Sequence, residues 1–275
     1  ELNKKIKEPG IKFYPGKSYR HILIIKDPEA KEYLKMTTTA PHDILGKPIK
    51  KYLPKATKSE KILDLMERSR QIFKDHPINQ VRVDLKENPA TMIWLWSQGQ
   101  RPQMPLFSEK YQLQGSIISA VDLVNGLGKL IGFEVISVPG ITGYYDTNYL
   151  GKGQYALKAL KKHDFVFIHI EAPDEAGHNG DIKAKINCIE RIDKEIVGTI
   201  IEHFKNNDAV RILVSPDHPT PIKLRTHTDE PVGFIVFGKN IIPDQIPVFN
   251  EKTAKESQLC FNSGEELMAF FTKTS

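Results

Sequence analysis

Apolar positions follow two different rhythms along the chain, and the change comes near residue 112. In the first part, Ile11 to Tyr14 and Arg20 to Lys26 flank Pro15-Gly16-Lys17-Ser18, and this order predicts a β-hairpin. A connection rich in Pro, Lys and Thr runs from Met36 to Lys58. Then Ile62, Leu65, Met66, Ser69, Ile72 and Phe73 fall at helical spacing and predict an amphipathic helix laid against that sheet. Thr91 to Trp96 reads as a further strand, which makes residues 1–112 a small α+β domain.

From Gly115 onward, helical segments alternate with short apolar runs. Ile117 to Gly132 reads as helix, Glu134 to Val138 as strand, and Ala156 to Lys162 as a short helix leading into the run Asp164 to Ile170. Ile182, Ile186, Ile189, Ile192, Ile196, Ile200 and Phe204 keep one apolar stripe over a long helix. Arg211 to Val214 and Val232 to Phe237 read as strands, and Glu265 to Phe271 as a terminal helix. Uninterrupted apolar strands separated by helices predict an α/β core, a mainly parallel sheet covered by helices on both faces, over residues 113–275.

Composition narrows the class. The 39 basic and 34 acidic residues leave a net charge of only +5, and the lysines are dispersed, which suits an anionic metabolite better than a nucleic acid. The two cysteines, Cys188 and Cys260, fit a reducing, cytoplasmic setting, and no apolar run approaches the ~18 residues of a membrane span.

The chemistry concentrates in Asp174-Glu175-Ala176-Gly177-His178, in Ser215-Pro216-Asp217-His218-Pro219, and in His227. A lone Asp-x-x-x-His is more often a solvated helix face than a ligand pair. Here each cluster follows directly on a predicted strand, and the carboxyl ends of strands in an open α/β sheet are where ligands bind. Carboxylates mixed with imidazoles suit Mn²⁺ or Zn²⁺ better than Mg²⁺ or Ca²⁺, and two clusters suggest a two-metal phosphoryl-transfer site. His169 lies inside its strand and reads as a core histidine.

These residues resemble the archaeal-type cofactor-independent phosphoglycerate mutases of the alkaline phosphatase superfamily. The resemblance runs through Ile168 to Asp181, Ser215 to Pro221 and His227 to Val232. It extends upstream to Thr37-Thr38-Thr39-Ala40-Pro41-His42-Asp43, to Trp94 through Pro102, and to Thr142 through Tyr149. It implies an alkaline phosphatase-like core carrying two divalent ions, Mn²⁺ first, with Zn²⁺, Co²⁺ or Mg²⁺ as alternatives. Asp174, His178 and His227 would hold one ion, and Asp217 and His218 would serve the other.

The resemblance further implies a smaller cap that binds a phosphorylated metabolite, with Arg20 and Arg101 as the guanidinium forks for phosphate and carboxylate. The activity implied is interconversion of 3- and 2-phosphoglycerate through a phosphoserine. An Asp-Gly motif and the serine nucleophile of that family have no counterpart here, so the chain is expected to be a fragment, inactive alone, with no catalytic nucleophile of its own. Thr142 and Ser215 are the hydroxyls nearest the motifs, and a Ser before Pro at a strand end is commonly a turn residue. A related phosphatase, a homoserine kinase-like phosphotransferase and a non-catalytic metal- or metabolite-binding module stay open as alternatives.

Overall fold

A computed structural model of the chain describes residues 1–16, 20–57, 59–205 and 210–273. It divides into two compact units, Glu1–Pro102 and Gln103–Ser275.

In the first unit, β1 (Ile11–Tyr14) and β2 (Ile22–Ile25) pair antiparallel with Ile11 opposite Ile25. Of the expected hairpin tip, Lys17 and Ser18 lie outside the described residues. The helix α1 (Glu60–Lys74) buries Ile62, Leu65, Met66 and Ser69, the stripe its spacing predicts. Ile62 and Met66 join Tyr33 and Met36 in a core that also takes Met92, Trp94 and Leu95.

Those last residues belong to Thr91–Trp96, expected as a strand, which forms no ladder. Side chains bind part of its backbone and that of the residue before it. The Ser69 hydroxyl accepts from the Ile93 amide at 2.9 Å, and just before the segment the Asn79 side chain binds both the amide and the carbonyl of Ala90. The helix α2 (Pro77–Asp84) was not expected, because its Ile78, Val81 and Val83 are exposed and supply no inward stripe.

In the second unit, β3 (Gly115–Ile118), β4 (Glu134–Val135) and β5 (Phe165–Ile168) form a parallel sheet in the order β4-β3-β5. The run Ile117–Gly132, expected as one helix, is therefore a strand end followed by α3 (Asp122–Leu130), with the break at Ser119-Ala120-Val121. The helix α4 (Tyr149–Ala159), capped by Asn148, returns the chain to β5. Beyond β5 come α5 (Ala172–Asn179) and α6 (Ile182–Arg191). A π-helical turn over Ile192–Val197 then leads into α7 (Gly198–Phe204). Ile118, Val138 and Ala156 pack on one another, while Tyr149, Ala172, Cys188, Ile196 and Ile200 form a second cluster.

The π-helical turn lies against the N-terminal half of α4. A Cβ at Gly153 would stand 2.9 Å from the Glu195 carbonyl, so glycine is what admits the approach. That carbonyl accepts from the Thr199 hydroxyl at 2.7 Å. The expected stripe along this helix is split: Ile196 and Ile200 are buried, whereas Ile182, Ile186 and Ile189 are exposed.

Finally β6 (Arg211–Val214) and β7 (Ile235–Gly238) pair antiparallel, and α8 (Gly264–Thr272) starts on a Ser263 cap. Arg211 crosses to the end of α8 and donates to the carbonyls of Phe271 and Lys273, where a cation complements the helix terminus. Among the described residues, no helix is long and apolar enough to cross a membrane.

Candidate metal centre

The helix α5 begins directly after the β5 end because Pro173 favours a first helical turn and cannot continue a ladder. It stops at Gly180, whose φ of 70° closes the C-terminus. Between these limits Asp174 and His178 stand four residues apart on one face, as the spacing predicts. The acid falls in the first turn, where the helix dipole favours it, and the imidazole in the last.

Three segments converge on this face. Asp174 Oδ2 is 3.3 Å from His178 Nε2, Asp174 Oδ1 is 3.3 Å from His227 Nε2, and the two Nε2 atoms are 2.9 Å apart. The His178 Nδ1 atom lies 3.0 Å from the Arg225 carbonyl. A carbonyl only accepts, so Nδ1 carries the proton and Nε2 keeps its lone pair facing the other donors. Arg225 presents that carbonyl from a left-handed backbone with φ of 57°.

His218 arrives from the loop after β6, with its ring centroid 4.0 Å from that of His227. Ligand atoms of Asp174, His218 and His227 all lie within 4.8 Å of one another. The Thr228 amide donates to the Pro219 carbonyl at 3.2 Å and ties the His227 segment to the His218 loop. Asp217 is exposed, and its Oδ2 reaches no closer than 3.6 Å to His218 Nε2. The grouping thus joins His218 to Asp174 and His227, across the division into two ligand sets that the family resemblance implies.

The donor set fits a small divalent cation. Ligands at the ~2.0–2.2 Å typical of nitrogen and carboxylate donors sit about 3 to 3.4 Å from one another around a single ion, and the separations of 2.9 and 3.3 Å are of that size. Three lone-pair donors this close repel one another unless a proton or a cation lies among them.

The surroundings hold residues that the motifs alone do not single out. Lys152 is buried at 1% exposure, and its ammonium donates to the His169 carbonyl at 2.8 Å. Burial pulls its pKa down to about 8. Its signal in the sequence is position, because Tyr149, Lys152, Ala156 and Ala159 share the inward face of α4. His169 packs in the strand end between the Ser119 hydroxyl at 3.2 Å and Glu171 at 3.2 Å, and burial holds its pKa below the ordinary value. The Glu171 carboxyl is pushed up, first by burial and then by the charges of Asp174, Glu175 and Asp217.

The two candidate hydroxyls are engaged locally: Thr142 donates to Asp146 at 2.7 Å and Ser215 to the Pro216 carbonyl at 2.7 Å. Arg20 and Arg101 are exposed residues of the Glu1–Pro102 unit, the latter in a stretch without regular structure.

The chain is similar to known proteins over most of its length. Residues 30–274 match the model of the metalloenzyme superfamily. The chain is 46% identical over 261 residues to a 2,3-bisphosphoglycerate-independent phosphoglycerate mutase of Methanothrix thermoacetophila, covering 94% of this chain and 65% of that protein. It is 43% identical to the enzyme of the same name from Methanosarcina barkeri, covering 99% of this chain and 68% of that one. Among solved structures, the cofactor-independent phosphoglycerate mutase of Thermoplasma acidophilum superposes with a TM-score of 0.62 at 22% identity, covering 94% of this chain and 65% of that one, a likeness of fold. The chain spans about two thirds of the length of these curated relatives. With the family model matched over most of its length and the Methanosarcina relative covered by more than two thirds, the chain belongs to the metalloenzyme superfamily and, within it, to the 2,3-bisphosphoglycerate-independent phosphoglycerate mutases.

Proposed function

We propose that Asp174, His178 and His227 bind one divalent cation, that Asp217 and His218 contribute to a second, and that Mn²⁺ is the ion used. The observation that carries this reading is the single Asp174 carboxylate set 3.3 Å from the Nε2 atoms of two histidines. His218, grouped with Asp174 and His227, makes the two sites neighbours. A family of metalloenzymes supports divalent ions in general, and the mixed carboxylate and imidazole set favours Mn²⁺ among them.

In the whole protein the reaction is the interconversion of 3- and 2-phosphoglycerate, a step of glycolysis carried out in the cytoplasm. Bound cations supply positive charge opposite the oxygens of the transferring phosphoryl group. The chain's own residues hold the frame for that charge: α5 fixes Asp174 and His178 at the end of β5, the Arg225 carbonyl sets the His178 tautomer, and the Pro219–Thr228 bond fastens the two remaining histidine segments. In this reading residues 1–112 are the substrate-binding cap, where Arg20 and Arg101 offer bidentate donors to carboxylate and phosphate. Residues 113–275 are the metal-bearing core, and the substrate is a small phosphorylated metabolite.

The test extends the chain to the length of its relatives and supplies Mn²⁺ and 3-phosphoglycerate. Phosphorus NMR is expected to show 2-phosphoglycerate forming without added bisphosphoglycerate. Release of inorganic phosphate would make the protein a phosphatase instead, and an unchanged spectrum with Mn²⁺ bound would refute the reading.

A further inference from the structure

Thr220 lies between the two ligand motifs, buried at 4% exposure, and both of its oxygens are in use. Its hydroxyl bonds to Asp174 Oδ1 and stands 3.3 Å from His218 Nδ1, while its carbonyl accepts from Lys185 Nζ at 2.7 Å. It fits closely against α5 because residue 177 is glycine. A Cβ there would stand 2.6 Å from the Thr220 carbonyl oxygen and 2.7 Å from its methyl.

Asp217 Oδ2, 3.6 Å from His218 Nε2, lies beyond hydrogen-bond range, and among the groups within range the chemistry leaves one solution. A hydroxyl has a single proton, and an ionised carboxylate only accepts, so the Thr220 proton goes to Asp174. His218 Nδ1 then meets a lone pair of the same hydroxyl, and the Pro219 carbonyl at 3.4 Å from that nitrogen presents lone pairs too. Both neighbours call for a proton on Nδ1, which leaves the lone pair of the neutral ring on Nε2. This is the arrangement that the Arg225 carbonyl imposes on His178.

We infer that Thr220 is the positioning residue of the metal centre: one hydroxyl orients the Asp174 carboxylate of the first motif and selects Nε2 of His218 in the second as the ligating nitrogen. Lys185, reaching from α6, anchors the Thr220 backbone from behind. The inference rests on the metal reading above.

Co²⁺ titration of the 275-residue chain, followed by absorption spectroscopy, tests it with three variants. Thr220→Val keeps the shape and removes the hydroxyl; it is expected to weaken Co²⁺ binding roughly 10- to 100-fold and to alter the ligand-field bands, the usual size of an outer-shell effect. Thr220→Ser restores the hydroxyl and is expected to bind with the wild-type spectrum. Asp174→Asn separates the two claims. If it binds poorly while Thr220→Val matches wild type in affinity and spectrum, the metal reading stands and the Thr220 inference is overturned. If Asp174→Asn also matches wild type, the metal reading fails and the inference with it. Nitrogen-15 NMR of the wild-type histidines gives a readout independent of any variant's folding: a His218 proton on Nδ1 supports the inference, and a proton on Nε2 overturns it.

Discussion

Replacing Lys152 with methionine offers a sharp test of how the interior beneath the site is built. The lysine is 1% exposed and held at a pKa of about 8 against an ordinary 10.5, with burial the main cause and the charge of Glu171 opposing it. Below pH 8 it is charged in both the folded and the unfolded chain, and the folded state bears a desolvation cost of about 3 kcal/mol. Between pH 8 and 10.5 the unfolded chain binds more protons than the folded one, so this cost is relieved as pH rises. Lys152→Met removes the cost at every pH but strands the His169 carbonyl, which takes back about 1 to 3 kcal/mol. The net change at pH 7 is therefore small, and the information lies in the pH dependence. The stability of wild type relative to Lys152→Met should rise by about 2 to 3 kcal/mol from pH 7 to pH 10. Urea unfolding followed by far-UV circular dichroism measures this. A difference that stays flat over that range would refute the claim that Lys152 is buried and charged at neutral pH.

Three more outcomes are expected. Asp174→Asn keeps the shape of the shared carboxylate and removes its charge, and isothermal calorimetry should show Mn²⁺ affinity falling by about 100-fold or more, beyond the range of an outer-shell change. Gly177→Ala places a methyl 2.6 Å from the Thr220 carbonyl oxygen, and thermal or urea melts should register a loss of about 1 to 3 kcal/mol, the cost of overpacking a tight contact. Arg101→Lys, in the protein extended to its relatives' length, should weaken kcat/KM for phosphoglycerate by about 1 to 3 kcal/mol with metal content unchanged, since charge is kept and the bidentate fork is lost; unchanged kinetics would remove Arg101 from the substrate site.

The Asp174 and His178 pair could be read from the sequence because three local signals coincide there: an apolar strand, a proline that ends it, and a four-residue spacing that one helical turn brings onto a single face. Asp217 and His218 could be placed by the first two of these signals, after β6. The meeting of His218 with Asp174 could not, because it depends on a contact across 44 residues of sequence that only the fold closes. Local ambiguity explains the misread run from Ile117 to Gly132. Its isoleucines, valines and leucines satisfy a helical period, and only the burial of all four residues from Gly115 to Ile118 between two neighbouring strands decides for β. Thr91–Trp96 has the composition of a strand but lacks a partner, its backbone having been claimed by Ser69. Thr220 is nearly invisible to sequence reading, since a threonine between two prolines has the look of a turn and its importance comes from what it touches.

The π-helical turn at Ile192–Val197 can be understood as a slip of phase. Cys188, Ile192, Ile196 and Ile200 all face the core at intervals of four residues, whereas an α-helix returns to the same face every 3.6 and would drift by about 40° at each step. The wider turn absorbs the drift. Counted from Cys188 at about 100° per residue, Ile182, Ile186 and Ile189 point about 100° to 160° away from it, which is why an apparently continuous apolar stripe is exposed along its first half. The helix therefore behaves as two rotors locked at a fixed offset. Deleting one residue within the turn would rotate everything beyond it by about 100°, carrying Ile200 and Phe204 off the core while leaving the hydrogen-bonded helix itself intact.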